Sequence, residues 1–345
     1  MLIYLGALLV AFVLSLIFSN LARKIALNLK IVDLPGGRKI HREPIPLLGG
    51  AAVFLSFFLV LFFLRDRLTI GELNLGHWFW FFLGGLIITV GGCWDDAKNL
   101  KPKQQIIFPL LAIACVVIGG IGIEKISNPF GGLLLFSNFL SNVFTVAWLL
   151  VMMYTTKLLD GVDGLVAGIA SIGGLTIFLF TVTTRYYQPD IALASIVFAG
   201  ACLGFLTLNW NPAKIFLGEA GSLLLGYVIG VLSIISGGKI AIALLVLGLP
   251  ILDVVWTIIR RLLVGKNPFK SPDKKHLHHR FLEMGLSQKK TVLLFYAFSA
   301  FFGLSGLFLQ SRGKLLAIST LTLIMIGLII GFSLLEKRLK DKKNK

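Results

Sequence analysis

Four groups of ionisable residues stand at the ends of apolar runs in this chain: Asp95 with Asp96, Asp160 with Asp163, Glu219, and the cluster His276, His278 and His279. The chain has only 16 acidic residues among 345, so their placement is selective. Ionisable groups beside a hydrocarbon layer are costly and usually functional. Carboxylates next to lysines suit one chemistry in particular. Mg²⁺ prefers carboxylate oxygen plus substrate phosphate over a full protein cage, and phosphate also calls for nearby cations.

Each group has a plainer reading beside it. The segment WDDAKNLKPKQQ follows its two acids with Lys98, Lys101 and Lys103. Neighbouring helical positions point in different directions, so one acid can face a metal while the other orients a partner; the alternative is a helix cap in a basic loop. In KLLDGVDGLVAG, Asp160 and Asp163 are spaced i, i+3, which predicts both carboxylates on one helix face. A calcium loop would need further ligands that are missing. In NWNPAKIFLGEAGSLLLG, Glu219 opens a run among small residues, where helix N-terminal amides favour a phosphate or simply an acid. In HLHHRFLEMGLS, three histidines beside Lys274, Lys275 and Arg280 form an anion-binding surface, with no zinc spacing. The loop LPGGRKIHREPIPLLGG offers Arg38, Lys39, His41 and Arg42 to anions, or is a basic linker. Asp253 lies inside the run ALLVLGLPILDVVWTIIRR. There it either pairs with a basic group or serves as a proton relay.

The elements that must hold these residues are membrane spans. Mean hydropathy is +0.89, and eleven runs of spanning length recur at about 2–20, 47–64, 78–94, 105–123, 139–158, 164–184, 190–208, 220–236, 240–263, 290–310 and 314–335. The expected fold is all-α: a polytopic integral membrane protein of about eleven helices, one membrane domain over 1–345. The catalytic loops fall at about 21–46, 95–104, 157–164, 209–222 and 264–289, with a basic tail at 336–345. With the N-terminus outside and the C-terminus cytoplasmic, 26 of the 33 Lys and Arg lie on the inner side and 7 on the outer, as the positive-inside rule requires. All four ionisable groups then share the inner face. The net charge of +17 reads as topology and attraction to anionic membrane lipids. Basic residues scattered over loops give no nucleic-acid footprint. Cys93, Cys115 and Cys202 fall within runs and read as packing residues.

Taken in order, PIPLLGG, WDDAKNLKPKQQ, LLDGVDGL, FLGEAGSLLLG and HLHHRFLEMGLS resemble the motifs of the polyprenyl-phosphate N-acetylhexosamine-1-phosphate transferases, over about residues 30 to 290. The HLHHR form resembles the N-acetylglucosamine-1-phosphate branch rather than the sister muramoyl-pentapeptide transferases. The resemblance implies transfer of a sugar-1-phosphate from a UDP-sugar to polyprenyl phosphate at the inner leaflet of a prokaryotic plasma membrane, with release of UMP. It implies Mg²⁺, with Mn²⁺ as a substitute. It makes Asp95, Asp96, Asp163 and His279 catalytic, and Glu219 and Asp160 metal ligands. Lys98, Lys103, Lys157, Asp160, His276, His278 and Arg280 become substrate contacts. A homodimer is compatible with this picture.

Three positions depart from the family pattern: Lys157 where Asn is usual, Glu219 where Asp is usual, and Leu47 or Leu48 where Arg is common. Lys157 and Glu219 are expected to be coupled, the ammonium offsetting the longer carboxylate. Two other classes stay open on the sequence. A transporter or flippase would use Asp253 near mid-membrane, and a scaffold would need no convergent acids.

Overall fold

The computed structural model describes residues 1–35, 43–71, 73–183, 187–236, 239–263, 265 and 276–343, with side chains through 334. Arg38, Lys39, His41, Arg42, Lys274 and Lys275 lie outside the described residues. Each apolar run becomes a helix or a helix pair. In chain order these are α1 (Leu2–Asn28), α2 (Gly49–Phe63), α3 (Arg65–Leu68), α4 (Leu75–Lys98), α5 (Pro102–Gln105), α6 (Ile107–Ile118), α7 (Asn138–Leu159) and α8 (Leu165–Thr181). They continue with α9 (Pro189–Asn209), α10 (Gly218–Ile235), α11 (Ile240–Val246), α12 (Gly248–Leu263), α13 (Leu277–Glu283), α14 (Gln288–Phe308) and α15 (Ser311–Lys343). Two short antiparallel ribbons accompany them: β1 (Val32–Asp33) with β2 (Ile45–Pro46), and β3 (Lys125–Ser127) with β4 (Leu133–Leu135).

The protein is an all-helical membrane protein, but the eleven runs are not eleven equivalent spans. Among the described residues, seven helices are long and apolar enough to cross a bilayer, and α11 with α12 makes an eighth if the bent pair is one span. Gly49–Phe63, Pro102–Ile118 and Leu165–Thr181 are shorter. At 1.5 Å per residue they reach only about 23–26 Å, against a hydrocarbon core of about 30 Å. All three begin at a motif loop. The run at 240–263, expected as one helix, is bent by 79° between α11 and α12. Pro250 accounts for the break. It has no N–H to give, and its ring excludes the carbonyl four residues back, which is that of Val246, the last residue of α11.

α10 is the axis of the bundle. From Ala220 to Ile234 its residues are buried, and it packs on α2, α4, α7, α8, α9 and α11. α1 and α15 are peripheral, with Leu5, Leu9, Val13 and Ile17 of α1 exposed. Such a stripe suits lipid, where backbone groups must be satisfied within the helix. The inner face of α1 is a row of small residues, Ala7, Ala11, Ser15, Ser19, Ala22 and Ala26. That row meets Gly200 and Gly204 of α9, where a Cβ would collide with the backbone of Leu8 and Phe12. The three cysteines are free; Cys115 and Cys202 are buried and Cys93 half-buried.

Candidate active site

Backbone pairing brings two distant motifs together first. Phe216 N–H donates to Pro46 O at 2.8 Å, Gly49 N–H to Phe216 O at 3.0 Å, and Gly50 N–H to Leu217 O at 2.8 Å. PIPLLGG thus clasps FLGEAG just before α10 starts. The glycines permit the approach. A Cβ on Gly50 would land in the backbone of Gly221, and one on Gly92 in that of Ala220. Gly218 has φ +69°, and a Cβ there would meet Asp96 and the carbonyl of Leu47. Only glycine tolerates both demands.

This clasp sets the start of α10 against the end of α4, where Asp95 and Asp96 diverge. Asp96 receives the Glu219 N–H on both carboxylate oxygens, at 2.9 and 3.1 Å. It therefore caps the N-terminus of a different helix, where the dipole favours its charge. Asp95 is buried and turns back on its own loop, accepting Leu100 N–H at 2.7 Å. Lys98 and Lys103 are exposed nearby. The α10 amide expected to face a phosphate is thus committed to Asp96.

Glu219 itself forms an ion pair with Lys157. The two side chains are 18% and 23% exposed. The Lys157 ammonium also donates to Gln105 Oε1 at 3.4 Å and lies 5.7 Å from the centre of the Tyr154 ring. The two departures in sequence are thus in direct contact.

Asp160 and Asp163 do not share a helix face. Asp160 is the C-cap of α7, and Asp163 sits in the turn before α8. Gly164, at φ +78°, starts α8 only after that turn. Among the described residues no hydrogen bond reaches the Asp160 carboxylate. Burial, then the negative charges of Glu219 and Asp163, raise its pKa from 3.8 to about 7. Asp163 faces the other way. Its Oδ2 accepts from Asn211 Nδ2 at 2.8 Å and Ala213 N–H at 3.1 Å, and Asn211 also donates to Gln288 Oε1 at 2.6 Å. Gly164 is held from both sides: its N–H donates to Asn209 Oδ1 at 3.0 Å, and Tyr296 Oη donates to its carbonyl at 2.5 Å. Beside Asp163 opens a cleft of about 480 Å³ lined by Arg23, Glu43, Asn211, Lys214 and Gln288 among others.

The histidines reach this turn from the far end of the chain, and they are not equivalent. His276 Nδ1 is 2.8 Å from Asp253 Oδ2. His278 is 1% exposed, and among the described residues neither ring nitrogen has a hydrogen-bond partner. Burial, then its two histidine neighbours, depress its pKa well below the usual range, so it is neutral near pH 7. A Cβ on Gly161 would come within 3.0 Å of His278 Nε2 and 3.5 Å of His279 Nε2; both rings therefore line the DGVDG turn. Arg280 is buried, its guanidinium 5.5 Å from the centre of the Phe332 ring. Asp253 is paired with a histidine rather than standing alone at mid-membrane, which removes the observation that favoured a proton relay.

Relatives match most of the chain, not the loops alone. The family described as glycosyl transferase family 4 matches residues 78–237. A Bacillus subtilis protein named "Probable undecaprenyl-phosphate N-acetylglucosaminyl 1-phosphate transferase" is 33% identical over 92% of this chain and 89% of its own length. A decaprenyl-phosphate N-acetylglucosaminephosphotransferase of Mycobacterium tuberculosis is 31% identical, covering 89% of this chain and 82% of the relative. An undecaprenyl-phosphate alpha-N-acetylglucosaminyl 1-phosphate transferase of Thermotoga maritima is 31% identical, covering 86% and 87%. The chain belongs to glycosyl transferase family 4.

Among the described residues no group of three or more His, Cys, Asp and Glu is arranged to hold a metal. Mg²⁺ does not need one, since one or two carboxylates plus substrate phosphates suffice. Asp160, free of hydrogen-bond donors among the described residues and repelled by Glu219, is a carboxylate short of a cation. Of the two expected ligands, Asp160 is open to a cation, while Glu219 is already paired with Lys157.

Sequence reasoning missed the amides that build the site: Gln105 beside Lys157, Asn209 and Asn211 around the DGVDG turn, and Gln288. The cluster NWNP, polar at a span end, was a signal for two of them. Gln288 opens α14 and carries no local signal; its role depends on where α9 ends.

Proposed function

We propose that the protein transfers N-acetylglucosamine-1-phosphate from UDP-GlcNAc to polyprenyl phosphate, starting a cell-envelope glycan. A lipid phosphate oxygen attacks the β-phosphorus of the donor. The bond from that phosphorus to the bridging oxygen breaks, UMP leaves, and a lipid diphosphate-sugar remains. The observation that carries the reading is the convergence of Asp96, Lys157, Asp160 and Glu219 from the ends of α4, α7 and α10 on one point. The relatives' names favour the GlcNAc donor over a muramoyl-pentapeptide donor.

The chain's own groups divide the work. A phosphate monoester has a second pKa of about 6, so the acceptor is already ionised and no strong base is required. Asp96 fixes the backbone of Glu219 and so the direction of its carboxylate. Lys157 offsets negative charge that gathers as two phosphates approach. His278 and His279 form the wall over the DGVDG turn, the side from which the donor diphosphate is contacted, with His276 and Arg280 as further substrate contacts. Glu219 and Asp160 would hold Mg²⁺, whose contribution when bound is to polarise the phosphoryl oxygens.

UDP-sugars are cytosolic, so the site faces the cytoplasm. The N-terminus is then outside, and the eleven runs, three of them short, cross the prokaryotic inner membrane among anionic lipids. The test is UMP release by purified protein given polyprenyl phosphate and, separately, UDP-GlcNAc, UDP-GalNAc and UDP-MurNAc-pentapeptide. Release only with lipid phosphate and fastest with UDP-GlcNAc is expected. Equal turnover of the pentapeptide donor would move the protein to the sister branch.

A further inference from the structure

Asp253 is an acid that the proposed chemistry does not use, yet it is among the most committed side chains in the molecule. It lies in α12, six residues from the break with α11, and is 4% exposed. Its two oxygens do two different things. Oδ1 accepts Leu277 N–H at 3.0 Å, capping the first residue of α13. Oδ2 meets His276 Nδ1 at 2.8 Å. A carboxylate only accepts, so the proton lies on Nδ1 and the Nε2 position is left for another contact. The His276 ring is stacked on His278 at 5.8 Å with 3° between planes. His278 in turn touches His279, their ring centres 4.3 Å apart, and both line Gly161. A chain of contacts thus runs from the broken span through the histidines to the DGVDG turn.

We propose that Asp253 is a positioning residue for donor binding: by fixing the tautomer of His276 and the first turn of α13, it sets the histidine wall against the DGVDG turn so that it receives the nucleoside diphosphate. The proposal rests on the transferase reading, but it concerns binding of the diphosphate, which can be measured without transfer. The bend in α11–α12 has a role in this account. Pro250 ends the first helix, and the redirected second helix delivers a carboxylate to a segment 23 residues further on.

Asp253→Asn separates the two functions. The amide oxygen can still cap α13, while its N–H₂ faces Nδ1 and forces the other tautomer. His276→Asn keeps a donor at the Nδ1 position and removes Nε2. Each variant should raise the KM for UDP-GlcNAc and the Kd for UDP by about tenfold or more, the usual effect of losing a hydrogen bond to a charged group. kcat and the KM for polyprenyl phosphate should change less than about threefold, since binding common to ground and transition states appears in KM. The double variant should be no worse than the poorer single. A lowered kcat at unchanged KM and Kd would mean that Asp253 only supports packing, and unchanged constants would remove any role. A wild type that binds UDP but releases no UMP from UDP-GlcNAc would defeat the transferase reading while the Kd comparison still judges Asp253. Failure of the wild type to bind UDP would overturn both.

Discussion

Shortening Glu219 to Asp is the most direct test of how the acidic centre is balanced. The backbone at 219 is fixed by Asp96, so the shorter side chain cannot recover its reach by shifting. Its carboxylate withdraws from the Lys157 ammonium by about one bond, roughly 1.5 Å. At an effective dielectric of about 20, lengthening a charge pair from roughly 3 to roughly 4.5 Å gives up about 2 kcal/mol. Both side chains are largely but not wholly buried, at 18% and 23% exposed, so that figure sits between a surface pair of under about 1 kcal/mol and a buried one of about 3–5 kcal/mol. Glu219→Asp should therefore lower kcat/KM by about thirtyfold if the pair is part of the working geometry. Lys157→Asn leaves Glu219 uncompensated and should cost about as much. The double variant removes the ammonium and the longer carboxylate together, and it should recover at least about 1 kcal/mol of the summed loss. The assay is UMP release at saturating lipid acceptor with Mg²⁺ titrated for every variant. Losses that add to within about 0.5 kcal/mol would refute the coupling. Two silent single variants would remove both residues from the centre.

Four further outcomes are expected. EDTA should abolish UMP release and Mg²⁺ or Mn²⁺ restore it. Asp160, with a pKa of about 7, takes up a proton as pH falls below 7 and then competes with the cation, so the half-saturating Mg²⁺ concentration should rise from pH 8 to pH 6; a flat profile would exclude Asp160 as a ligand. Asp95→Asn, Asp96→Asn and Asp163→Asn should each lower kcat by about a hundredfold or more while the protein still purifies; wild-type rates would leave all three as caps and loop ties only. Gly50→Ala sets a methyl against the backbone of Gly221 and should destabilise by about 1–3 kcal/mol, read as a lower melting temperature in detergent; an unchanged melting temperature would show that the clasp can open.

The order and helical nature of the spans were legible because a bilayer enforces them: twenty apolar residues in sequence leave a backbone no other way to satisfy itself. The motif residues were legible for a similar reason, since an acid or histidine at the end of such a run needs a chemical purpose. Departure from the family pattern even marked Lys157 and Glu219 as a linked pair, although 62 residues separate them. Tertiary structure decided what spacing could not. Asp160 and Asp163 looked like one helix face, but α7 ends at Asp160 and Gly164, at φ +78°, starts α8 only after a turn, so the carboxylates point apart and, among the described residues, only Asp163 finds amide donors. Asp96 looked like a ligand or a cap of its own helix, and it caps α10, because only the close crossing at Gly50, Gly92 and Gly221 brings that N-terminus within reach. Asp253 could be a relay or a partner until Pro250 broke the span and placed it against His276. Local pattern specifies the elements; which of two plausible partners a charged group takes depends on crossings between elements distant in the chain, and that geometry is absent from any window of sequence.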